Sequence, residues 1–370
     1  MVTYTLLEVL TNLAGVQLTR QQITLSANWM WPNPHRDPVE GGRMYRAAET
    51  LSQLCLQSEM AIDGGKDGLS MSVADPSKQT GRSKSPGTLV LTSYAKVRDI
   101  TNRLQPYFQN TDSDVWYVSM DPFTSPDSSE TPIPDITPIL KIFDGIQEVL
   151  STGMIRSVHD SSDGGLITAL LEMSIGSGYG FTTSLPDVRG DTQTDYSYPK
   201  DNEDFWFRET PGLVLETDAR CRMLVAAQFR NNKAEPVLLG STRLSPTVCL
   251  HPYMSSIPLS VFRSAWEHTS QTMDKKQSNP LTVKQATGYY QNPILPNYSY
   301  NPIIPPPLPD VIYNYHMDSE SLNPSGIHAA VIREEGTNGD REMIASLYQA
   351  GYTVSDYPMR YLETAPSTIL

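Results

Sequence analysis

Two proline-dense stretches decide how this chain of 370 residues can be divided. Residues 121–138 hold five prolines among Ser, Asp and Thr, and residues 288–324 hold eight among many Tyr and Asn. Proline lacks a backbone N–H and fixes φ, so neither stretch can form a helix interior or a central strand. The first marks a domain boundary or a surface excursion. The second contains PIIPPPLP and reads as an extended polyproline connector, with a ligand for a proline-binding module as the alternative.

The segments between them carry mixed α/β patterns. Leu6, Leu10 and Leu13 recur at spacings of four and three and predict an amphipathic helix over residues 5–16, with Glu8 and Asn12 together on a neighbouring face. ITLSANWMW reads as a strand, Tyr45 to Cys55 as a helix, and TLVLTSYAKV and VWYVSM as strands rich in β-branched and aromatic residues. In MAIDGGKDGLSM a short apolar run stops at glycines, and GGKDG reads as a turn; it lacks the spacing of a phosphate-binding P-loop. After the first proline stretch, Ile139, Ile142, Phe143, Ile146 and Val149 predict a helix. RSVHDSSDGGL leads into a second helix, LITALLEMSI, followed by strands at GLVLE, EPVLLG and TVCL and a last helix at LSVFRSAWEHTSQTM. The final 44 residues, from Ile327, run strand, Gly/Asn loop, helix and strand start, the first half of a doubly wound α/β domain.

Composition narrows the function classes. The balance of 28 basic against 41 acidic residues gives a formal charge of −13, which disfavours a general grip on nucleic acid or an anionic membrane surface. No apolar run approaches a membrane span, and the first residues lack the basic region of a signal peptide, so a cytoplasmic protein is expected. Cys55, Cys221 and Cys249 are odd in number and far apart, and predict neither a disulfide framework nor a metal pair. The six histidines show no zinc-binding spacing, and no GxSxG nucleophile motif is present.

The chemistry-bearing stretch is HDSSDGGL, residues 159–166, which places Asp160 and Asp163 between a strand and a helix start. Helix N-termini favour anions, and a carboxylate can hold Mg2+ against a phosphate, so the combination suits a Mg-nucleotide site. The alternative is that Ser162 or Asp163 caps the helix and the glycines make the turn. Glu8 and Asn12 offer two oxygen ligands from adjacent turns, the hard-donor chemistry Mg2+ takes, although a solvated helix face has the same spacing.

Eight blocks in one order, LLEVLTNL, LSANWMW, AIDGGKDGLSM, PGTLVLTSYA, HDSSDGGLITALLEM, ETPGLVLE, AWEHTS and AAVIREEGTNGDREM, span Leu6 to Met343. Together they resemble the second half of the synthetase region of the formylglycinamide ribonucleotide amidotransferase family, followed by the start of its glutaminase domain. The resemblance implies a step of purine biosynthesis in which the amide of formylglycinamide ribonucleotide is activated by ATP and aminated with ammonia from glutamine. An amide oxygen is a poor leaving group until phosphorylated, so Mg2+ and cations must neutralise the transferring group. Carried onto this sequence, the resemblance makes Glu8, Asn12 and Asp160 Mg2+ ligands and Ser162 a nucleotide contact. The nucleotide is ATP in a catalytic site or ADP in an auxiliary one.

The fold implied is α/β, an aminoimidazole ribonucleotide synthetase-like two-domain unit followed by an incomplete flavodoxin-like glutaminase domain. Residues 1–138 and 139–288 would form the two synthetase-like domains, 289–326 the linker and 327–370 the truncated glutaminase. The partners implied are small molecules, with no nucleic acid and no membrane. Departures from the family pattern include Leu7 and Val9 before LTN, Gly68 in place of the serine of GKDS, and FTSPDSSETPIPD in place of a Gly/Ala-rich segment. The family's glutaminase Cys, His and Glu have no counterpart, so no catalytic residue is assigned and the chain alone is expected to be inactive. Two further readings are a truncated pseudoenzyme acting as a nucleotide-binding or interaction module, and a stand-alone aminoimidazole ribonucleotide synthetase relative. REEGTNGDREM argues against the latter.

Overall fold

The computed structural model describes residues 1–79, 81–97, 99–121, 133–183, 203–231, 234, 236–251, 254–291, 326–334 and 337–364. They fall into two units, Met1–Ile294 and Leu295–Leu370. PIIPPPLP and most of both proline-rich stretches lie outside the described residues.

The first unit opens with α1 (Val2–Leu13), β1 (Thr24–Met30) and α2 (Pro38–Ser58). Asp37 caps α2 by accepting from the N–H groups of Val39 and Glu40, with Pro38 at the first helical position, where its missing donor costs nothing. There follow β2 (Ala61–Gly68), a small hairpin of β3 (Ser72–Ala74) and β4 (Arg82–Lys84), and β5 (Thr88–Tyr94). β1 is the centre of a three-stranded sheet in the order β2-β1-β5, parallel to β2 and antiparallel to β5.

GGKDG is therefore strand, not turn. The pairing of β2 with β1 shifts register between Leu25 and Ser26, and a Cβ placed at Gly65 would lie 2.0 Å from the Ala27 carbonyl oxygen. The glycines admit this close backbone approach at an irregular edge, and with no apolar alternation the strand carries no period-two signal.

The rest of the first unit comprises β6 (Asp114–Ser119), α3 (Thr137–Ser151), β7 (Ile155–Ser161), α4 (Gly165–Ser177), β8 (Gly180–Thr183) and the short α5 (Glu203–Phe207). It continues with β9 (Gly212–Thr217), α6 (Arg222–Asn231), β10 (Val237–Arg243), β11 (Thr247–Leu250), β12 (Met254–Pro258), α7 (Leu259–Gln277) and α8 (Pro280–Gln291). α8 is a helix beyond the one expected to be last. Asn279 accepts from the Leu281 N–H and Val283 is buried, so the cap and Pro280 start a helix that its polar composition hides.

The seven strands from β6 to β12 form one sheet in the order β12-β11-β8-β10-β6-β9-β7. Its middle strands are covered on both faces. Trp116, Val118, Leu213 and Leu215 point into a core shared with α1, α2, β1, α3 and α6, while Val115, Tyr117 and Val214 point into a second core with α4, Phe181, Leu239 and Leu259. Alternate side chains of one strand thus feed two hydrophobic layers, which is why VWYVS and GLVLE read as continuous apolar runs. β6, from the segment before the first proline stretch, is hydrogen-bonded into this larger sheet.

In the second unit a strand, His328–Arg333, pairs in parallel with Thr353–Pro358 across an intervening helix, Asp340–Gln349, and a last helix spans Met359–Thr364. Arg333 reaches Asp356 of the neighbouring strand at 2.8 Å. Among the described residues no helix is long and apolar enough to cross a membrane.

Candidate functional site

Three elements of the first unit meet at the residues singled out by the sequence. α1 buries Leu6, Leu7 and Leu10 completely and packs against β7, the edge strand of the larger sheet. Its opposite side presents Glu8 and Asn12, both exposed and one turn apart. β7 ends in His159, Asp160 and Ser161, and the loop Ser162–Gly164 delivers the chain into α4. Gly164 and Gly165 both hold positive φ, near 78° and 74°, a conformation that other residues adopt at a cost.

These placements bring Glu8 together with Asp160 and Asp163. The Glu8 carboxyl is pushed up from its ordinary range by burial first, then by the charges of Asp160 and Asp163. Among the described residues no hydrogen bond or ion pair holds the Glu8 side chain. Asp160 behaves in the opposite sense: burial would raise it, but hydrogen bonding to His159, the His159 charge, a backbone hydrogen bond and the Ser162 hydroxyl together pull it down. His159 Nδ1 lies 2.7 Å from the Asp160 carbonyl oxygen and 3.3 Å from its carboxylate, and Nε2 lies 3.6 Å from Glu172. Burial alone would lower the imidazole, yet the contacts with Asp160 and the charge of Glu172 leave it raised. Trp266 Nε1 donates to Glu172 at 3.1 Å, linking this chain of contacts to α7.

Side-chain capping of α4 by Ser162 or Asp163 is not what the structure contains. The cap residue is Gly164, without a side-chain cap bond, and its N–H donates to Glu209 Oε1 at 2.9 Å. The two residues are thereby left outside the helix hydrogen-bond ladder. Glu209 stands just before β9, in the block ETPGLVLE, and its role depends on a contact across 45 positions that no local pattern reveals.

Glu8, Asn12 and Asp160 supply oxygen donors only, from carboxylates and a carboxamide, the set Mg2+ prefers over nitrogen or sulfur. The charges of Asp160 and Asp163 lie near enough to raise the Glu8 carboxyl further, after burial, so this oxygen-donor set is chemically compatible with the ion. Among the described residues no group of three or more His, Cys, Asp and Glu side chains is gathered tightly enough to hold a metal alone. A cation here would draw further ligands from Asn12, water or phosphate.

Residues 2–96, which include Glu8 and Asn12, match the FGAR-AT PurM_N-like domain. Residues 122–220, which include Asp160 and Ser162, match the AIR synthase related protein, C-terminal domain. The phosphoribosylformylglycinamidine synthase of Dictyostelium discoideum is 30% identical over 95% of this chain and 28% of its own length. The chain is homologous to part of phosphoribosylformylglycinamidine synthase. The Homo sapiens enzyme of that name is also 30% identical, over 96% of this chain and 26% of its length. The chain thus spans about a quarter of the curated relatives it matches. Among solved structures, Thermotoga maritima PurL complexed with ATP has a TM-score of 0.49 at 11% identity, over 68% of this chain and 39% of that one. That likeness is too distant to add to the sequence relationship.

Proposed function

We propose that residues 1–288 form a Mg-nucleotide site of a formylglycinamide ribonucleotide amidotransferase, with Glu8, Asn12 and Asp160 as Mg2+ ligands and Ser162 against the nucleotide. The reading divides this region into synthetase-like domains at 1–138 and 139–288. It assigns 289–326 to a linker and 327–370 to the start of a flavodoxin-like glutaminase. The observation that carries it is the meeting of α1 with β7. Acids from distant parts of the sequence come together there, and the Glu8 carboxyl is pushed up by burial first and then by the charges of Asp160 and Asp163.

In the whole enzyme the reaction converts formylglycinamide ribonucleotide to the amidine, consuming ATP and the amide nitrogen of glutamine. Bound at Glu8, Asn12 and Asp160, Mg2+ would neutralise phosphate oxygens of ATP, or of ADP if the site is auxiliary. The chain's own contribution is orientation. His159 and Ser162 fix the Asp160 carboxylate, and Glu209 holds the Gly164 N–H so that the loop keeps one shape ahead of α4.

Calorimetric titration of the 370-residue chain with Mg-ATP and Mg-ADP tests this reading. Binding that is lost in Asp160→Asn supports it. Absence of binding by the folded wild-type chain, or equal affinity in the variant, overturns it.

A further inference from the structure

We propose that Arg208 is a phosphate-contacting residue of this same site, presented to the ligand by Asp121 and Tyr4. The inference rests on the nucleotide reading above and extends it to a cation that neither the sequence blocks nor the family domains single out.

The segment that carries Arg208 is pinned to the HDSSDGG loop at two points. A Cβ at Gly165 would lie 2.7 Å from the backbone carbon of Phe207 and 2.8 Å from the Trp206 oxygen, so the two backbones are in direct contact. On the other side of Arg208, Glu209 accepts from the Gly164 N–H. Arg208 therefore sits between two residues that touch the loop bearing Ser162 and Asp163.

Its guanidinium is anchored from behind. One nitrogen lies 3.1 Å from Asp121 Oδ2, and the Tyr4 hydroxyl donates to Asp121 Oδ1 at 3.2 Å. The Asp121 side chain is 1% exposed, whereas that of Arg208 is 55% exposed. The Asp121 carboxylate and the Tyr4 hydroxyl thus hold a guanidinium that remains largely accessible, and its planar fork of donors suits phosphate oxygens. Tyr4 is one turn before Glu8 on α1, so the residue that bonds Asp121 beside Arg208 shares a helix with two of the candidate Mg2+ ligands, Glu8 and Asn12. The Tyr4 hydroxyl is itself pushed up by burial and by Asp121, while Arg208 pulls the other way. Acids for a metal on α1 and β7, with an arginine linked to α1 through Asp121 and Tyr4, match a ligand with a metal-bound phosphate and further anionic oxygens.

The test is the dependence of affinity on phosphate number, measured by calorimetry with Mg-ATP, Mg-ADP and Mg-AMP on the full chain. In the wild type affinity should rise with each added phosphate. In Arg208→Ala the ratio of ATP to AMP affinity should fall by about tenfold, the size expected for one charge-assisted contact. Arg208→Lys should retain part of it as a point charge. Because Arg208→Ala leaves Asp121 buried opposite a missing cation, the Asp121→Asn/Arg208→Ala double variant serves as its folding control and should show the same reduced ratio. An unchanged ratio in a folded Ala variant overturns the inference and leaves the nucleotide reading intact, as does failure of both Ala variants to fold, which would make Arg208 a structural counter-charge. No binding by the wild-type chain overturns both.

Discussion

Buried acids of the large sheet and the acids beside α1 are the same chemical groups under opposite management. Glu216, fully buried on β9, accepts hydrogen bonds from the N–H groups of Gln109 and Asn110 at 2.7 and 2.9 Å and from the Ser157 hydroxyl at 2.7 Å. Asp114 on β6 is met by Arg222 through two bonds of 2.7 and 2.6 Å. Each of these charges has donors matched to it, as burial requires. Glu8, by contrast, has Asp160 and Asp163 for neighbours. The difference separates acids that hold the fold from Glu8, whose charged form is disfavoured where it stands.

Removing a sheet acid should therefore produce the largest loss of stability. Glu216→Ala abandons three donors in the interior and should cost about 3–5 kcal/mol, read as a lowered denaturant midpoint with two-state unfolding retained. A midpoint within experimental error of wild type would erase the distinction between the two groups of acids.

The Asp114–Arg222 pair sharpens the comparison because its partners are unequally buried, with side chains 1% and 50% exposed. Arg222→Ala strands a buried carboxylate and should cost about 3 kcal/mol, whereas Asp114→Ala frees an arginine that can return to water and should cost about half as much. Equal losses in the two variants would show that burial does not set the asymmetry.

At the site by α1 the effect should appear in binding. Glu8→Gln should weaken Mg-ATP by about tenfold or more, at least the loss seen when a residue supporting a metal ligand is removed. In metal-free buffer the same variant should be slightly more stable than wild type at neutral pH, because it removes a repelled charge. The pH dependence follows with its sign. Glu8 binds its proton more tightly folded than unfolded, so its effect on stability is most favourable below the ordinary carboxylate range and is lost as pH rises through the raised folded value. Asp160, held low, works in reverse: its contribution is present above the ordinary range and is lost as pH falls through the lowered folded value. Thermal melts of Glu8→Gln and Asp160→Asn from pH 4 to 8 should diverge from wild type in opposite directions.

The two groups of acids also differ in how far the sequence reveals them. Leucines at spacings of four and three place α1, and with it the shared face of Glu8 and Asn12. The strand ending in HDSSDGGL and the helix pattern after it place Asp160 between the two. Those positions follow from local periodicity, which the chain states directly. Glu216 looks like one polar residue ending an apolar strand, and only the pairing of β9 between β6 and β7 explains its burial. Arg208, Glu209 and Asp121 owe their placement to contacts between distant segments, which no local spacing reveals. The edge strand β2 was hidden because glycines replace the alternation that marks a strand, and α8 because its exposed face is polar.

The most direct test of the account is calorimetric titration of Mg-ATP into wild type and Glu8→Gln, paired with metal-free melts of both proteins. The Glu8→Gln variant should bind at least about tenfold more weakly while its melting temperature is equal to or above that of wild type. Undiminished affinity, or weaker binding that merely accompanies a lower melting temperature, would contradict it.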